Sequence, residues 1–238
     1  MSFNRWRSLV DGTEFAAIPD SEADQKLAHR WVLDDVNGTV VDSGGDADGD
    51  VNGVSSVDGD WAGGSAGEGD GVDDNILLPS GVIPDLSSDF AVALSFQTDV
   101  SEEVHFASSF QDDSDLRFRL RSQDGVINMQ LRVTDTADVE TSNKFNDGNE
   151  YRLVINKISN DESNWEIWIN QSEESVSNPN TSFGEGDGGN FTQDLPMFAE
   201  SDNDEDLESH FEGIIDDFCI YDDSLTQSEI ESYQNPWA

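Results

Sequence analysis

Arg117, Arg119 and Arg121 alternate with Phe118 and Leu120, so three of the chain's 11 basic residues project from one face of a single extended segment. After the turn Gln123-Asp124-Gly125, the returning segment places Asn128, Gln130 and Arg132 beside them. Grouped guanidinium ions can grip a carboxylate or a sulfate through paired N–H donors, which is the chemistry of acidic or sulfated sugars. They can equally neutralise neighbouring carboxylates or line a subunit contact. Trp168 is a second candidate. In Trp165-Glu166-Ile167-Trp168-Ile169-Asn170 the apolar side is Trp165, Ile167 and Ile169, which leaves the Trp168 indole on the opposite face with Glu166 and Asn170. There it stacks on a sugar ring, anchors a protein partner, or is covered by a loop such as 178–190.

Two segments carry a family pattern. The C-terminal one reads Gly213-Ile214-Ile215-Asp216-Asp217-Phe218-Cys219-Ile220-Tyr221, a closing strand, and then Leu225-Thr226-Gln227-Ser228-Glu229-Ile230. Thr226 and Glu229 stand at capping-box spacing, with Leu225 and Ile230 set to staple the turn, so a short helix is predicted from Gln227. The N-terminal one contains Trp31, Leu33, Asp34 and Asp35, then Asp42-Ser43-Gly44, Asp48-Gly49-Asp50-Val51-Asn52-Gly53, and Asp70-Gly71-Val72-Asp73-Asp74-Asn75-Ile76-Leu77-Leu78-Pro79. In order and spacing this resembles LamG-like domains of the concanavalin A-like lectin/glucanase group over residues 28 to 234. Asn75 stands where an aromatic is usual, and Glu150-Tyr151-Arg152 where Trp-His is customary.

The resemblance implies an all-β jelly-roll sandwich of two antiparallel sheets with a short C-terminal helix. It also implies a structural calcium between the first and last strands, with Asp35 and Asp216 as side-chain ligands; the plainer alternative is that both are hydrogen-bonded aspartates. By strand parity Asp216 is predicted to share the inward face of Phe218 and Ile220, where an unpaired carboxylate would be costly. Asp48-x-Asp50-x-Asn52-Gly53 matches half of an EF-hand loop, but Gly59 occupies the twelfth position. Laminarinase-type enzymes of this fold carry Glu-x-Asp-x-Glu on one strand. Glu68-x-Asp70 and Glu185-x-Asp187 have no third Glu and read as Gly-rich loops, and His29, His105 and His210 show no metal or triad spacing. No catalysis is expected.

Composition sets the environment. The chain has 52 acidic against 11 basic residues, a net charge of −41, spread along its length between apolar runs. Such a surface repels itself in dilute buffer, whereas molar salt shortens the Debye length to about 3 Å and screens the repulsion. The chain reads as a halophile's protein that rejects nucleic acid and anionic membranes. Cys219 is the only cysteine, so no intrachain disulfide is available. The start, Met1-Ser2-Phe3-Asn4-Arg5-Trp6-Arg7, has no apolar export segment. The expectation is therefore a virion surface protein of a halophilic archaeal virus, such as a turret, fibre or capsid-decorating protein. It would be made in the host cytoplasm and assembled with other virion subunits as a homo-oligomer, with acidic host cell-surface glycans as its contacts. The alternatives are a purely structural virion subunit or a cellular carbohydrate-binding or adhesion protein.

The elements that must position these residues are predicted as follows. Residues 1–20 form an arm whose Phe3, Trp6, Leu9 and Phe15 need a partner surface, and 21–238 form one sandwich domain. A helical stretch is expected over Ser21–His29. Strands are expected over Phe90–Gln97, Leu116–Ser122, Val126–Val133, Tyr151–Ile158 and Trp165–Asn170.

Overall fold

The computed structural model describes residues 25–234 except 60–63, 112–115, 133–135, 162–163, 182–190 and 202–205. The arm expected over 1–20 lies outside the described residues, as does Glu185-x-Asp187. The strands are β1 (Leu27–Trp31), β2 (Thr39–Val40), β3 (Gly49–Asn52), β4 (Ser55–Asp58), β5 (Ser65–Asp70), β6 (Asn75–Leu78), β7 (Phe90–Gln97), β8 (Val104–Gln111), β9 (Leu116–Gln123), β10 (Val126–Arg132), β11 (Thr136–Thr141), β12 (Glu150–Lys157), β13 (Glu166–Ile169), β14 (Ser172–Glu173), β15 (Val176–Thr181), β16 (Leu195–Met197), β17 (Glu200–Ser201), β18 (Leu207–Glu208) and β19 (Glu212–Tyr221). Helix α1 (Gln227–Gln234) follows. Residues 25 and 26 are helical, but β1 takes over at Leu27, so the helix expected to His29 ends early. The cause is pairing: β1 lies along β19 from Leu27–Tyr221 to Trp31–Phe218, and this ladder outweighs local propensity.

The strands form an eight-stranded sheet in the order β14-β13-β12-β7-β19-β5-β4, with β1 also on β19, and an eleven-stranded sheet in the order β15-β11-β10-β9-β8-β16-β6-β3-β2, with β17 and β18 attached. Among the described residues pairing is antiparallel apart from one parallel bridge, Glu200 to Ser108. This is the all-β two-sheet sandwich expected. Phe90, Phe96, Phe106, Phe118, Phe198, Phe211, Phe218 and Trp31 are buried between the sheets. Each contributes about 1.5–3 kcal/mol by leaving water.

The aspartates of the N-terminal segment work as loop scaffolds. Asp42, 5 % exposed, accepts the backbone N–H groups of Arg30, Gly44 and Gly45, each at 2.9 Å, that of Ala47 at 3.1 Å, and His29 Nδ1 at 2.7 Å. Burial is the largest single effect and pushes its carboxyl up, but the His29 contact and these bonds together outweigh it and hold the group below its usual range. Gly44 is required there because a Cβ would lie 2.9 Å from the backbone of His29 and Arg30. The half EF-hand motif is strand β3. Asp48 accepts the Asp42 N–H at 2.9 Å, and Gly49 packs where a Cβ would stand 2.7 Å from Leu78. Glu68 and Asp70, expected in a loop, belong to β5.

The last strand is interrupted. Its register against β7 shifts between Asp216 and Cys219, and Asp217 adopts φ 57°. This bulge inserts one residue and flips the parity on its N-terminal side. Ile215, Phe218 and Ile220 therefore face the core, whereas Asp216 lies opposite Ser95 on the outer face, which corrects the inward position predicted for it. Arg30 from β1 braces the bulge, with Nε and Nη2 donating to the two oxygens of Asp217 at 2.6 and 2.9 Å.

Candidate ligand-binding face

β9 and β10 pair with Arg117 opposite Arg132, Arg119 opposite Gln130, and Arg121 opposite Asn128. Asp124 and Gly125 at the turn both have positive φ, 53° and 80°, the geometry that suits the twist of a two-residue hairpin. Phe118, Leu120, Met129 and Leu131 fill the core side. Arg117, Arg119, Arg121, Gln130 and Arg132 consequently stand together, half-buried, on the outer face of the larger sheet.

Neighbouring strands bring carboxylates to this face. Glu200, 5 % exposed, is seated by its bridge to Ser108, and Ser108 pairs with Arg119. Arg119 Nε donates to Glu200 Oε1 at 3.0 Å, and its Nη2 donates to the same oxygen. Arg121 Nη1 donates to Glu103 Oε1 at 2.8 Å and its Nε to Asn128 Oδ1 at 3.1 Å. Between the two carboxylates lies His105, fully buried, with Nε2 3.1 Å from Glu103 Oε1 and 3.4 Å from Glu200 Oε2. The His105 contact, followed by Arg121, draws the Glu103 carboxyl down to about 2, while burial pushes the His105 imidazole below its ordinary value. His105 Nδ1 has no hydrogen-bond partner among the described residues. His105 is therefore part of a buried cluster with Glu103 and Glu200, which the spacing of the three histidines did not signal.

Arg117 differs from its two neighbours. Its Nη1 donates to Gln130 Oε1 at 3.2 Å, and its guanidinium stacks 4.7 Å from the centre of the Phe110 ring. Among the described residues it makes no ion pair.

Trp168 belongs to the other sheet. It is 6 % exposed, its indole N–H donates to Glu166 Oε2 at 3.0 Å, and it packs with Val154, Tyr221, Leu225 and Ile230. Its side of the strand was foreseen correctly, but α1 and the turn before it cover the indole, so it does not join the arginine face. Asp216 lies on the smaller sheet, in β19, and Asp35 follows β1. Asp35 is exposed, and its Oδ1 accepts the Asn37 backbone N–H at 3.1 Å and side-chain amide at 2.7 Å. The carboxylates acting on Asp216 are Asp217 and Asp34, and with burial as the larger cause they raise it to about 7. A calcium held by Asp35 and Asp216 would have to replace the Asn37 contacts of Asp35 and the proton that Asp216 keeps up to about pH 7.

A cleft of about 530 Å³ at the end of the smaller sheet is lined by Glu68, Asp70, Asp74, Asp99 and Glu212 among others. Its carboxylates would repel an acidic sugar, so of the two surfaces only the arginine face suits one.

The two antiparallel sheets, the closing strand and its capped helix define a jelly-roll sandwich of the lectin and glucanase kind. The Laminin_G_3 family model, described as the Concanavalin A-like lectin/glucanases superfamily, matches residues 70–231, and the chain belongs to that superfamily. No curated protein matches it in sequence. Among solved structures, the binding domain of Paraclostridial Mosquitocidal Protein 1 is similar with a TM-score of 0.70 and 16 % identity, covering 91 % of this chain and 53 % of that one. Domain 4 of the extracellular arabinanase AbnA from Geobacillus stearothermophilus, in complex with arabinotriose, is similar with a TM-score of 0.66 and 21 % identity, covering 87 % and 97 %. The botulinum neurotoxin serotype D ligand binding domain in complex with N-acetylneuraminic acid has a TM-score of 0.66 and 12 % identity, covering 90 % and 52 %. This chain thus spans about half the length of the toxin chains and nearly all of the arabinanase domain.

Proposed function

We propose that the chain is a non-catalytic, sugar-contacting module displayed on the surface of a halophilic archaeal virus, as a turret, fibre or capsid-decorating protein that meets acidic glycans of the host. One observation carries the reading: four of the chain's 11 basic residues, Arg117, Arg119, Arg121 and Arg132, share one sheet face of a molecule with a net charge of −41. The arabinanase domain solved with arabinotriose and the neurotoxin ligand binding domain solved with N-acetylneuraminic acid lend support, since each contains this kind of sandwich and was solved in complex with a sugar. A homo-oligomer with other virion subunits, joined through the arm 1–20, would make a weak single contact multivalent. The full chain should be titrated at molar salt against a panel of acidic and neutral oligosaccharides, and host culture fluid fractionated to follow the protein with particles. Binding of an acidic oligosaccharide together with copurification supports the proposal. Failure to bind any saccharide overturns the sugar reading, and absence from particles overturns the virion one.

A second reading, a purely structural virion subunit, draws on the pairing of Arg119 with Glu200 and of Arg121 with Glu103, which shows those charges already used within the fold. It predicts copurification without sugar binding.

A further inference from the structure

We propose that Arg117 and Arg132, with Gln130 beside them, form an anion cradle that seats the carboxylate or sulfate of an acidic sugar. The proposal rests on the sugar-binding reading above and assigns the recognition to one end of the face.

The assignment follows from how differently the arginines are satisfied. Arg119 and Arg121 each hold a carboxylate inside the fold. Arg117 has one neutral hydrogen bond and one aromatic contact, and its Nε is buried with no partner among the described residues. An orphaned buried donor costs free energy, and a guanidinium offers more N–H groups than Gln130 can take. With 52 acidic residues in the chain, a half-buried arginine that ion-pairs with none of the described ones is an anomaly. Arg117 is also directly opposite Arg132 across the β9–β10 ladder, so two guanidinium groups meet at this end of the face. Burial, then Arg119, Arg132 and Arg121, pull the Arg117 guanidinium below its ordinary value, only partly offset by Glu200. An external anion would answer all of these at once.

The cradle is also shaped for one. Phe110 pairs with Arg117 across the β8–β9 ladder and holds the guanidinium plane at 4.7 Å, so its fork is preorganised. Gln130 Oε1 is committed to Arg117, which turns the amide NH₂ into the end left to donate toward a sugar oxygen. Asp138, opposite Gln130 on β11, is 4 % exposed and marks the side from which a second carboxylate would be repelled.

The test uses the full chain at molar salt, titrated calorimetrically with a glucuronic acid-containing disaccharide, a sulfated disaccharide and their neutral glucose counterpart. At least one acidic probe is expected to bind more tightly than the neutral one. Arg117→Gln and Arg132→Gln are each expected to weaken that probe by about tenfold, which is the scale of one charge-assisted hydrogen bond, and to leave the neutral probe unchanged. Arg117→Lys should lose most of the same affinity because the fork is gone. Lys144→Gln, on an exposed loop residue, controls for net charge. Circular dichroism and melting at the same salt establish that each variant is folded. Equal binding of acidic and neutral probes with no effect of either arginine variant overturns the cradle and leaves a sugar-binding module. Failure of every saccharide to bind overturns both.

Discussion

At the scale of single residues, Asp216 is a group whose protonation the fold moves toward neutral pH. Burial first, and then Asp217 and Asp34, raise it to about 7, so the folded chain keeps a proton there that the unfolded chain releases near pH 4. Its stabilising effect is complete below about pH 4 and is lost as the pH rises through about 7. Asp216→Asn should preserve the shape and abolish the titration. The melting temperature of the parent is expected to fall between about pH 5 and pH 8 by some 3 °C more than that of the variant. Parallel pH profiles in scanning calorimetry would refute the assignment. Asp216 also shows where residue-level reading stops. Alternation along Arg117–Arg121 was legible because it is local. The parity of Asp216 was not, because the bulge at Asp217 depends on a brace from Arg30, 187 positions away. The partner of Arg119 was hidden for the same reason, since Glu200 lies 81 positions from it.

At the scale of elements, the C-terminal helix was the most readable part of the chain. Glu229 Oε2 accepts the Thr226 N–H at 2.6 Å, and the Glu229 N–H reaches Thr226 Oγ1 at 3.4 Å, which is the reciprocal capping its spacing announced. Leu225 and Ile230 then press onto Trp168 and Val154, and Lys26 Nζ ties Glu229 from the other end of the chain at 3.0 Å. Glu229→Ala removes the cap and leaves Lys26 without this partner. A loss of about 1–2 kcal/mol is expected in denaturant unfolding at molar salt. An unchanged midpoint would mean that the staple alone holds the helix. β8 was the least readable element. Its His105, Ser108 and Ser109 are buried, so the apolar-polar alternation that marks a half-exposed strand is missing although the strand sits inside the larger sheet.

At the scale of the whole molecule, the net charge of −41 governs behaviour in solution. Lowering salt from molar to about 0.1 M lengthens the Debye length from about 3 to about 10 Å and restores self-repulsion. The melting temperature should fall by on the order of 10 °C over that range. A flat salt profile would sink the halophilic reading. One feature of the sandwich reaches beyond equilibrium. In the smaller sheet β19 lies between β7 and β5, although it is C-terminal to every other described strand. During synthesis the β12–β7 and β4–β5 halves of that sheet must therefore wait, with open edges, until residues 212–221 have left the ribosome. The sheet can close only after translation is almost finished, through contacts of long sequence separation that form slowly. A dense shell of like charge would then serve the nascent chain as much as the finished one, by keeping unfinished copies on neighbouring ribosomes from pairing through those edges.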